Sequence, residues 1–245
     1  MRKVLCSFLL LILLPLGVQA ILPDIKFRRL DTRDGLSNSQ VNYVYRDSRG
    51  FVWFGTAYGL NRYDGYRFKT FYSNKRDTTS MRDNFTDEIM EAYDGKLWLK
   101  QGMNYCIYDP VTERFERNVS RELSEYGITG GVERLYIDCK QRFWVKCYDD
   151  GVYCYNPKTK KLSHIQRGYE KGQFNPTYGI STFSSYGNKV VLSTYQGELV
   201  MLDGEKGVIE WESTWIRDHG GPRNQEYRVF IDQQHNVWTT CLGNT

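Results

Sequence analysis

The chain has 245 residues, and its charges are nearly balanced, with 33 lysines and arginines against 29 aspartates and glutamates. The net charge of +4, which falls to +2 without Arg2 and Lys3, is too small to predict binding to nucleic acid or to an anionic membrane surface. Aromatic residues make up 15% of the chain, including 19 tyrosines, a composition that suits broad β-sheets packed face to face.

The first twenty residues have the pattern of a secretory signal peptide. A basic start, Met1-Arg2-Lys3, precedes an apolar run over residues 4–18, and Val18-Gln19-Ala20 supplies small residues of the kind that a signal peptidase reads. The run is shorter than the ~20 residues that cross a bilayer core. We therefore predict a signal peptide over 1–20 and export of 21–245 without a membrane span. A retained membrane anchor is the alternative.

The next segment, residues 34–72, has four short runs of β-branched and aromatic residues separated by turns that contain Asp and Gly. This pattern predicts antiparallel hairpins joined into a four-stranded meander. The predicted strands are Val41–Arg46, Phe51–Thr56, Leu60–Tyr63 and Arg67–Tyr72.

This unit recurs along the chain. Trp53 has counterparts at intervals of 45 to 47 residues, namely Trp98, Trp144, Val191 and Trp238. Turn aspartates precede the four tryptophans: Asp47, Asp94, Asp138 and Asp232. A four-stranded unit that repeats every ~40–50 residues is typical of propeller blades. We therefore predict an all-β fold, a β-propeller of four-stranded antiparallel blades.

The predicted propeller segment occupies residues 21–245, with about four and a half blades. The blades lie near 41–72, 86–117, 132–166 and 178–211, and a partial blade covers 227–241. Ile25–Leu30 is predicted as a further strand, Ser73–Asn84 as a polar loop, and no helix is predicted after the signal peptide. Since an incomplete ring leaves a strand edge bare, we expect the chain to be the front part, or a truncated product, of a longer protein.

Five cysteines follow the predicted cleavage site, an odd number at irregular spacing that does not predict a disulfide framework. Cys147 and Cys154 fall on neighbouring predicted strands, so a cross-strand bridge and two free thiols both remain open. The three histidines are scattered and no CxxC pair exists, so no metal site is predicted. No cofactor is predicted either.

The first repeat, DGLSNSQVNYVYRDSRGFVWFGTAYGLNRYDG over residues 34–65, resembles the two-component regulator propeller repeat. Its opening, Asp34-Gly35-Leu36-Ser37, is similar to the entry sequence of sensors in hybrid two-component systems of Bacteroides-type bacteria. The resemblance covers roughly residues 25–245. It is clearest in the first repeat and weakest in the fourth, where Val191 replaces the tryptophan.

The resemblance implies a periplasmic sensor that recognises an oligosaccharide ligand and that works as a receptor dimer. In that family the propellers precede a membrane span, a histidine kinase and DNA-binding parts, so this chain alone is not expected to be an enzyme. One alternative is a structural or protein-docking propeller that mediates dimerisation. Another is an exported glycan-active enzyme, although the sequence offers no unrepeated pair of carboxylates for such chemistry.

The recurring tryptophans are interpreted as core residues between blades, and the aspartates before them as turn residues. Binding residues are expected instead in loops that open on one face of a propeller. Aromatic rings there would stack on sugars and arginines would bind hydroxyl groups, although ordinary exposed loop residues are the simpler interpretation. The candidates are Tyr58, Tyr148, Tyr195, Arg82, Trp215 and Arg223.

Overall fold

The structure is a computed structural model that describes residues 27–148, 150–165 and 179–241. The chain divides into two units, Met1–Leu30 and Asp31–Thr245. The predicted signal peptide lies outside the described residues. Residues 27–30 belong to no strand, so the described part of the predicted strand Ile25–Leu30 was predicted wrongly.

The second unit is built of antiparallel sheets whose strands pair in sequence order. The first sheet contains β1 (Val41–Arg46), β2 (Val52–Thr56), β3 (Leu60–Tyr63) and β4 (Phe68–Phe71). The second contains β5 (Glu88–Glu91), β6 (Leu97–Gln101), β7 (Asn104–Asp109) and β8 (Arg114–Glu116). The third contains β9 (Val132–Ile137), β10 (Phe143–Cys147), β11 (Val152–Asn156) and β12 (Lys161–Ile165).

The fourth sheet contains β13 (Ile180–Tyr186), β14 (Lys189–Thr194), β15 (Leu199–Asp203) and β16 (Val208–Ser213). The fifth has two strands among the described residues, β17 (Tyr227–Ile231) and β18 (Val237–Cys241). The prediction of an all-β propeller with four blades and part of a fifth is confirmed. The ends of the described strands lie within a few residues of the predicted ends.

Among the described residues, two short α-helices and a single turn of 3-10 helix (Thr32–Asp34) correct the prediction that no helix follows the signal peptide. Helix α1 (Val119–Glu125) and helix α2 (Trp215–Asp218) both lie in linkers between blades. Helix α1 buries Val119 and Leu123, one turn apart, but a helix of seven residues is too short to show a clear helical period in the sequence. Among the described residues, no helix combines the length and the apolar character that crossing a membrane requires.

The aspartates before the tryptophans form the turns between the first two strands. Asp47 accepts hydrogen bonds from the backbone N–H groups of Arg49 (3.0 Å) and Phe51 (2.9 Å) and from Nε1 of Trp53 (2.9 Å). Asp138 and Asp232 bind their own turns and tryptophans in the same way. The interpretation of these aspartates as turn residues is confirmed.

We call the face of each sheet that carries the recurring tryptophan its trailing face. In the first three sheets this face packs on the next blade. The opposite face of each sheet is its leading face. Trp53, Trp98 and Trp144 are buried as predicted, but Trp238 on the last sheet is exposed. The buried tryptophans share clusters with aliphatic residues of the following sheet: Trp53 with Leu97 and Leu99, Trp98 with Leu135 and Val145, Trp144 with Val190 and Leu192.

The structure also decides the alternatives for the cysteines. Cys147 packs in the cluster between the second and third sheets, whereas Cys154 packs in the cluster between the third and fourth. Their side chains therefore lie on opposite faces of one sheet, and both thiols are free. Burial raises the pKa of the Cys154 thiol to about 12, which makes it a poor nucleophile.

Candidate functional site

The loops between the second and third strands lie beside the linkers that enter the same blades. Backbone hydrogen bonds join Ala57 to Gln40 (3.1 Å), Tyr148 to Gly131 (2.9 Å) and Tyr195 to Gly179 (3.1 Å). Both sets of loops therefore share one end of the sheets, which we call the upper rim. The turns between the first two strands and between the last two strands lie at the lower rim.

A glycine allows close packing at this rim in the first blade. Gly59 has a φ of +107°, in the left-handed region that favours glycine. A Cβ atom at this position would lie 2.8 Å from Oγ of Ser37 and 2.9 Å from Cε1 of Tyr72. The chain therefore needs glycine here to bring the entry segment, the loop and the end of the fourth strand together.

The first strands of the blades surround a cleft of about 610 Å³, a volume typical of small-molecule sites. One register position supplies a side chain from every blade. In each blade the recurring tryptophan, or Val191 in the fourth blade, pairs with a residue on the first strand. The register position in question lies two residues before that first-strand residue. The five residues at this position are Tyr43, Glu88, Arg134, Thr182 and Arg228, and all of them line the cleft.

The charged side chains of the cleft pair with one another. Nη2 of Arg134 lies 3.0 Å from Oε2 of Glu88, and Nζ of Lys100 lies 2.6 Å from Oδ2 of Asp87. The side chains of both pairs are no more than 27% exposed. Burial raises the pKa of Glu88, and the nearby cations Arg134 and Lys100 oppose that rise.

A third pair, Arg228 with Glu226, lies at the more exposed edge, with Nε and Oε1 3.0 Å apart. The charges lining the cleft therefore balance, with three acidic and three basic residues. Such a site favours a ligand that both donates and accepts hydrogen bonds over one that carries a large net charge.

Several buried polar atoms at the cleft have no hydrogen-bond partner among the described residues. They are Oδ1 of Asp87, Nε of Arg134 and Oγ of Ser181. Buried polar atoms are nearly always hydrogen-bonded, to protein, water or a ligand. These three atoms offer two acceptors and two donors, since a hydroxyl can act as either.

Aromatic rings complete the cleft. Tyr43, Phe85, Phe183 and Tyr195 line it beside the charged groups. Burial raises the pKa of Tyr195, with Arg134 acting in the opposite direction. Aromatic rings next to carboxylates and a guanidinium can hold a ligand that has apolar faces and hydroxyl groups at its edges. The ion pairs of Asp87 and Glu88 offer both donors and acceptors to such hydroxyl groups.

Only one of the six predicted binding residues, Tyr195, lines this cleft. Tyr58 and Tyr148 lie at the upper rim of other blades, and the ring of Tyr58 lies 5.7 Å from that of Tyr72. Arg82 lines a separate groove of about 440 Å³ with Arg117 and Asn118.

Trp215 and Arg223 lie in the linker after the fourth blade. The ring of Trp215, on α2, stacks on His219 with a centroid distance of 4.6 Å. Arg223 precedes Asn224, whose backbone N–H donates to the carbonyl of Tyr195 (2.8 Å). This linker therefore contacts the Tyr195 loop, but Trp215 and Arg223 do not line the cleft.

Sequence reasoning missed Asp87, Glu88, Lys100 and Arg134 because it looked for binding residues only in loops. A signal was nevertheless present. Ten residues before each tryptophan the chain carries three different kinds of side chain at four equivalent positions: Tyr43, Glu88 and the arginines Arg134 and Arg228. Variation at one position of a regular repeat indicates a surface that the fold itself does not constrain.

Comparison with known proteins supports the repeat and the fold. Residues 35–58 match the family model described as "Two component regulator propeller", which confirms the resemblance of the first repeat. Histidine kinase P4 of Formosa agariphila is 36% identical over 75 residues. That alignment covers 31% of this chain and 6% of the kinase.

Two solved structures share the fold. The extracellular domain of the putative hybrid two component system BT3049 from B. thetaiotaomicron matches with a TM-score of 0.60 and 22% identity, over 86% of this chain and 29% of that one. PorZ, a surface component of the type-IX secretion system of Porphyromonas gingivalis, matches with a TM-score of 0.55 and 10% identity, over 86% of this chain and 28% of PorZ. The chain thus spans less than a third of each of these relatives.

Proposed function

We propose that this chain is the ligand-sensing propeller segment of a hybrid two-component receptor, located outside the cytoplasm. The central cleft is the observation that carries the proposal, because it gathers aromatic rings and unpartnered polar atoms from several blades. The two-component regulator propeller repeat at 35–58 supports the receptor class. The apolar leader over residues 4–18 supports export to the periplasm.

The proposed ligand is a fragment of a glycan. A sugar ring has apolar faces that stack on aromatic side chains and hydroxyl groups that both donate and accept hydrogen bonds. Tyr195 and Phe85 offer rings at the cleft, and Asp87, Arg134 and Ser181 offer the polar atoms. A cleft of about 610 Å³ has room for a short oligosaccharide rather than a long chain.

In this proposal the ligand acts by binding one arrangement of a receptor pair more tightly than another. A ligand can shift an equilibrium only by its difference in affinity for the two states. The sheets that line the cleft belong to different blades, so a bound sugar would link β5, β9, β13 and β17. In this role the chain binds the ligand and does not catalyse a reaction. Other domains of such a receptor would transmit the signal.

Isothermal titration of the purified chain with short oligosaccharides, some neutral and some containing uronic acids, tests the proposal. Tyr195→Ala should weaken binding about tenfold, equivalent to a loss of ~1.4 kcal/mol. Tyr66→Ala is the matched control, because Tyr66 is 89% exposed in a turn at the lower rim. Absence of binding by any oligosaccharide, or an equal loss in both variants, would contradict the proposal.

A further inference from the structure

A groove of about 440 Å³ lies at the lower rim between the third and fourth blades, and it shares no lining residue with the cleft. It is lined by the turns β9–β10 and β11–β12 of the third blade and by the turns β13–β14 and β15–β16 of the fourth. Both blades have all four strands and a further blade packed on their other side. The groove is therefore internal to the series of blades.

Short side chains leave this groove open. In the interface between the first and second blades, Arg62 and Lys69 reach across to Glu113 of the second blade, at 3.1 Å and 2.5 Å. Strand pairing places Cys154 and Ser163 of the third blade at the positions that Arg62 and Lys69 occupy in the first. Both of these short residues line the groove. The space that ion pairs occupy in one interface is thus free in the other.

The groove also contains a buried arginine. The guanidinium of Arg142 lies against the backbone of Gly204, and a Cβ atom at Gly204 would overlap it, so only glycine fits there. Nε of Arg142 donates to Oδ2 of Asp138 at 2.6 Å, and both side chains are almost completely buried. Because Asp138 balances the charge of Arg142, the net charge of the groove depends on its other residues.

Three exposed lysines make the groove basic. Lys140, Lys158 and Lys161 line it, and none of them forms an ion pair with a carboxylate in the part of the chain that the structure describes. One acidic residue, Glu205, is among the lining residues, and it accepts a hydrogen bond from Nδ2 of Asn188 (2.9 Å). Like charges gathered in one place repel one another. The groove therefore has a positive charge that an anion would neutralise.

The construction of the turn does not require these lysines. The β11–β12 turn has the sequence NPKTKK over residues 156–161, and the β7–β8 turn of the second blade has DPVTER over 109–114. In both turns Oδ1 of the first residue accepts from the backbone N–H groups of the third and fourth residues, at 2.8 Å and 3.4 Å in the second blade and at 3.0 Å and 3.4 Å in the third. The same turn thus carries two acids and one arginine in one blade and three lysines in the other, so its charge is independent of its folding.

We propose that this groove binds the phosphate or sulfate group of a soluble small molecule, such as a sugar ester. Lysine ammonium groups bind such oxyanions as compact point charges. The hydroxyl-bearing residues Thr159 and Ser163 also line the groove, and a hydroxyl can donate to an oxyanion. A volume of about 440 Å³ has room for the anionic group and one sugar ring. This site is separate from the cleft and does not rest on the ligand proposed for the cleft.

Isothermal titration of the purified chain with glucose 6-phosphate and glucose 6-sulfate, at an ionic strength fixed with sodium chloride, tests the proposal. At least one ester should bind one-to-one, and unmodified glucose should not displace it. Lys158→Gln and Lys161→Gln should each weaken binding about fivefold, because each removes a charge that faces the anion. Lys160→Gln is the matched control, since Lys160 is exposed in the same turn but does not line the groove, and its effect should stay within about twofold.

Phospholipid headgroups present the same oxyanion chemistry, so co-sedimentation with phosphatidylglycerol vesicles separates the two sources. Vesicle binding that Lys158→Gln and Lys161→Gln abolish, without binding of either ester, would overturn the proposal of a soluble ligand. Absence of ester binding, or equal weakening in all three lysine variants, would overturn it too. Cooperative melting of each variant at the wild-type temperature shows that a loss of binding is not a loss of folding. Tyr195→Ala, a change in the cleft, should leave ester binding unchanged, so the two sites are tested independently.

Discussion

Single side chains fix the register of the repeats, and the turn aspartates do so in three of the five blades. One carboxylate oxygen binds the backbone of the turn and the other binds the indole of the tryptophan that packs on the next blade. Asp138 adds a buried ion pair, since its Oδ2 accepts from Nε of Arg142 at 2.6 Å and both side chains are at most 3% exposed.

Asp138→Ala should therefore destabilise the chain by about 3–5 kcal/mol, because it leaves the buried Arg142 unpaired and removes several charged hydrogen bonds. Asp232→Ala is the control at the same position of the repeat. Its turn is exposed, so solvent can replace the lost bonds and the effect should be much smaller. Chemical unfolding measures both, and equal losses would contradict the assigned role of the Asp138–Arg142 pair.

Among the elements, the strands could be predicted and the linkers could not. The strands follow from short apolar runs, Asp and Gly turns and a tryptophan at a constant interval. Ser73–Asn84 was predicted as a polar loop because of its composition. The segment is a loop, as predicted, but it also contains Met81, which is fully buried and forms a parallel bridge with Ser73. A single apolar residue in a polar segment gives no periodicity, so its burial depends on contacts distant in sequence.

Arg117 holds this linker in place from the next blade. Its Nη2 donates to the carbonyl oxygens of Asn74 (2.9 Å), Asp77 (2.8 Å) and Met81 (2.9 Å), and its Nε donates to that of Ser80 (2.9 Å). The conformation of this linker therefore depends on the side chain of Arg117, which lies more than 30 residues away in the sequence.

Arg117→Ala should loosen the linker without unfolding the blades. Thermolysin should cut within residues 74–82 at least several times faster in this variant than in the wild type, because the linker carbonyls lose their common donor. Arg114→Ala, on strand β8 just before Arg117, is the matched control and should leave the cleavage rate unchanged. Equal protection in both variants would show that Met81 alone suffices to hold the linker.

At the scale of the whole molecule, the cleft exists only because the blades are arranged around it. Glu88 and Arg134 lie one repeat apart in sequence, and their ion pair joins the first strands of two blades. The sequence predicted binding residues in the loops that open on one face, and one of these residues, Tyr195, lines the cleft. It could not identify the pairing of charges across blades, because that pairing depends on how neighbouring sheets are positioned and not on any local pattern.

Amide hydrogen exchange of the chain, with and without a bound oligosaccharide, tests whether the sugar ligand binds in this cleft. Protection should increase where the cleft is lined: residues 85–88, 134, 181–183, 195 and 226–229. Exchange in the lower-rim turns at 47–51 and 64–67 should not change. Protection confined to those turns, or to the separate groove around Arg82, would contradict the assignment of the cleft as the ligand site.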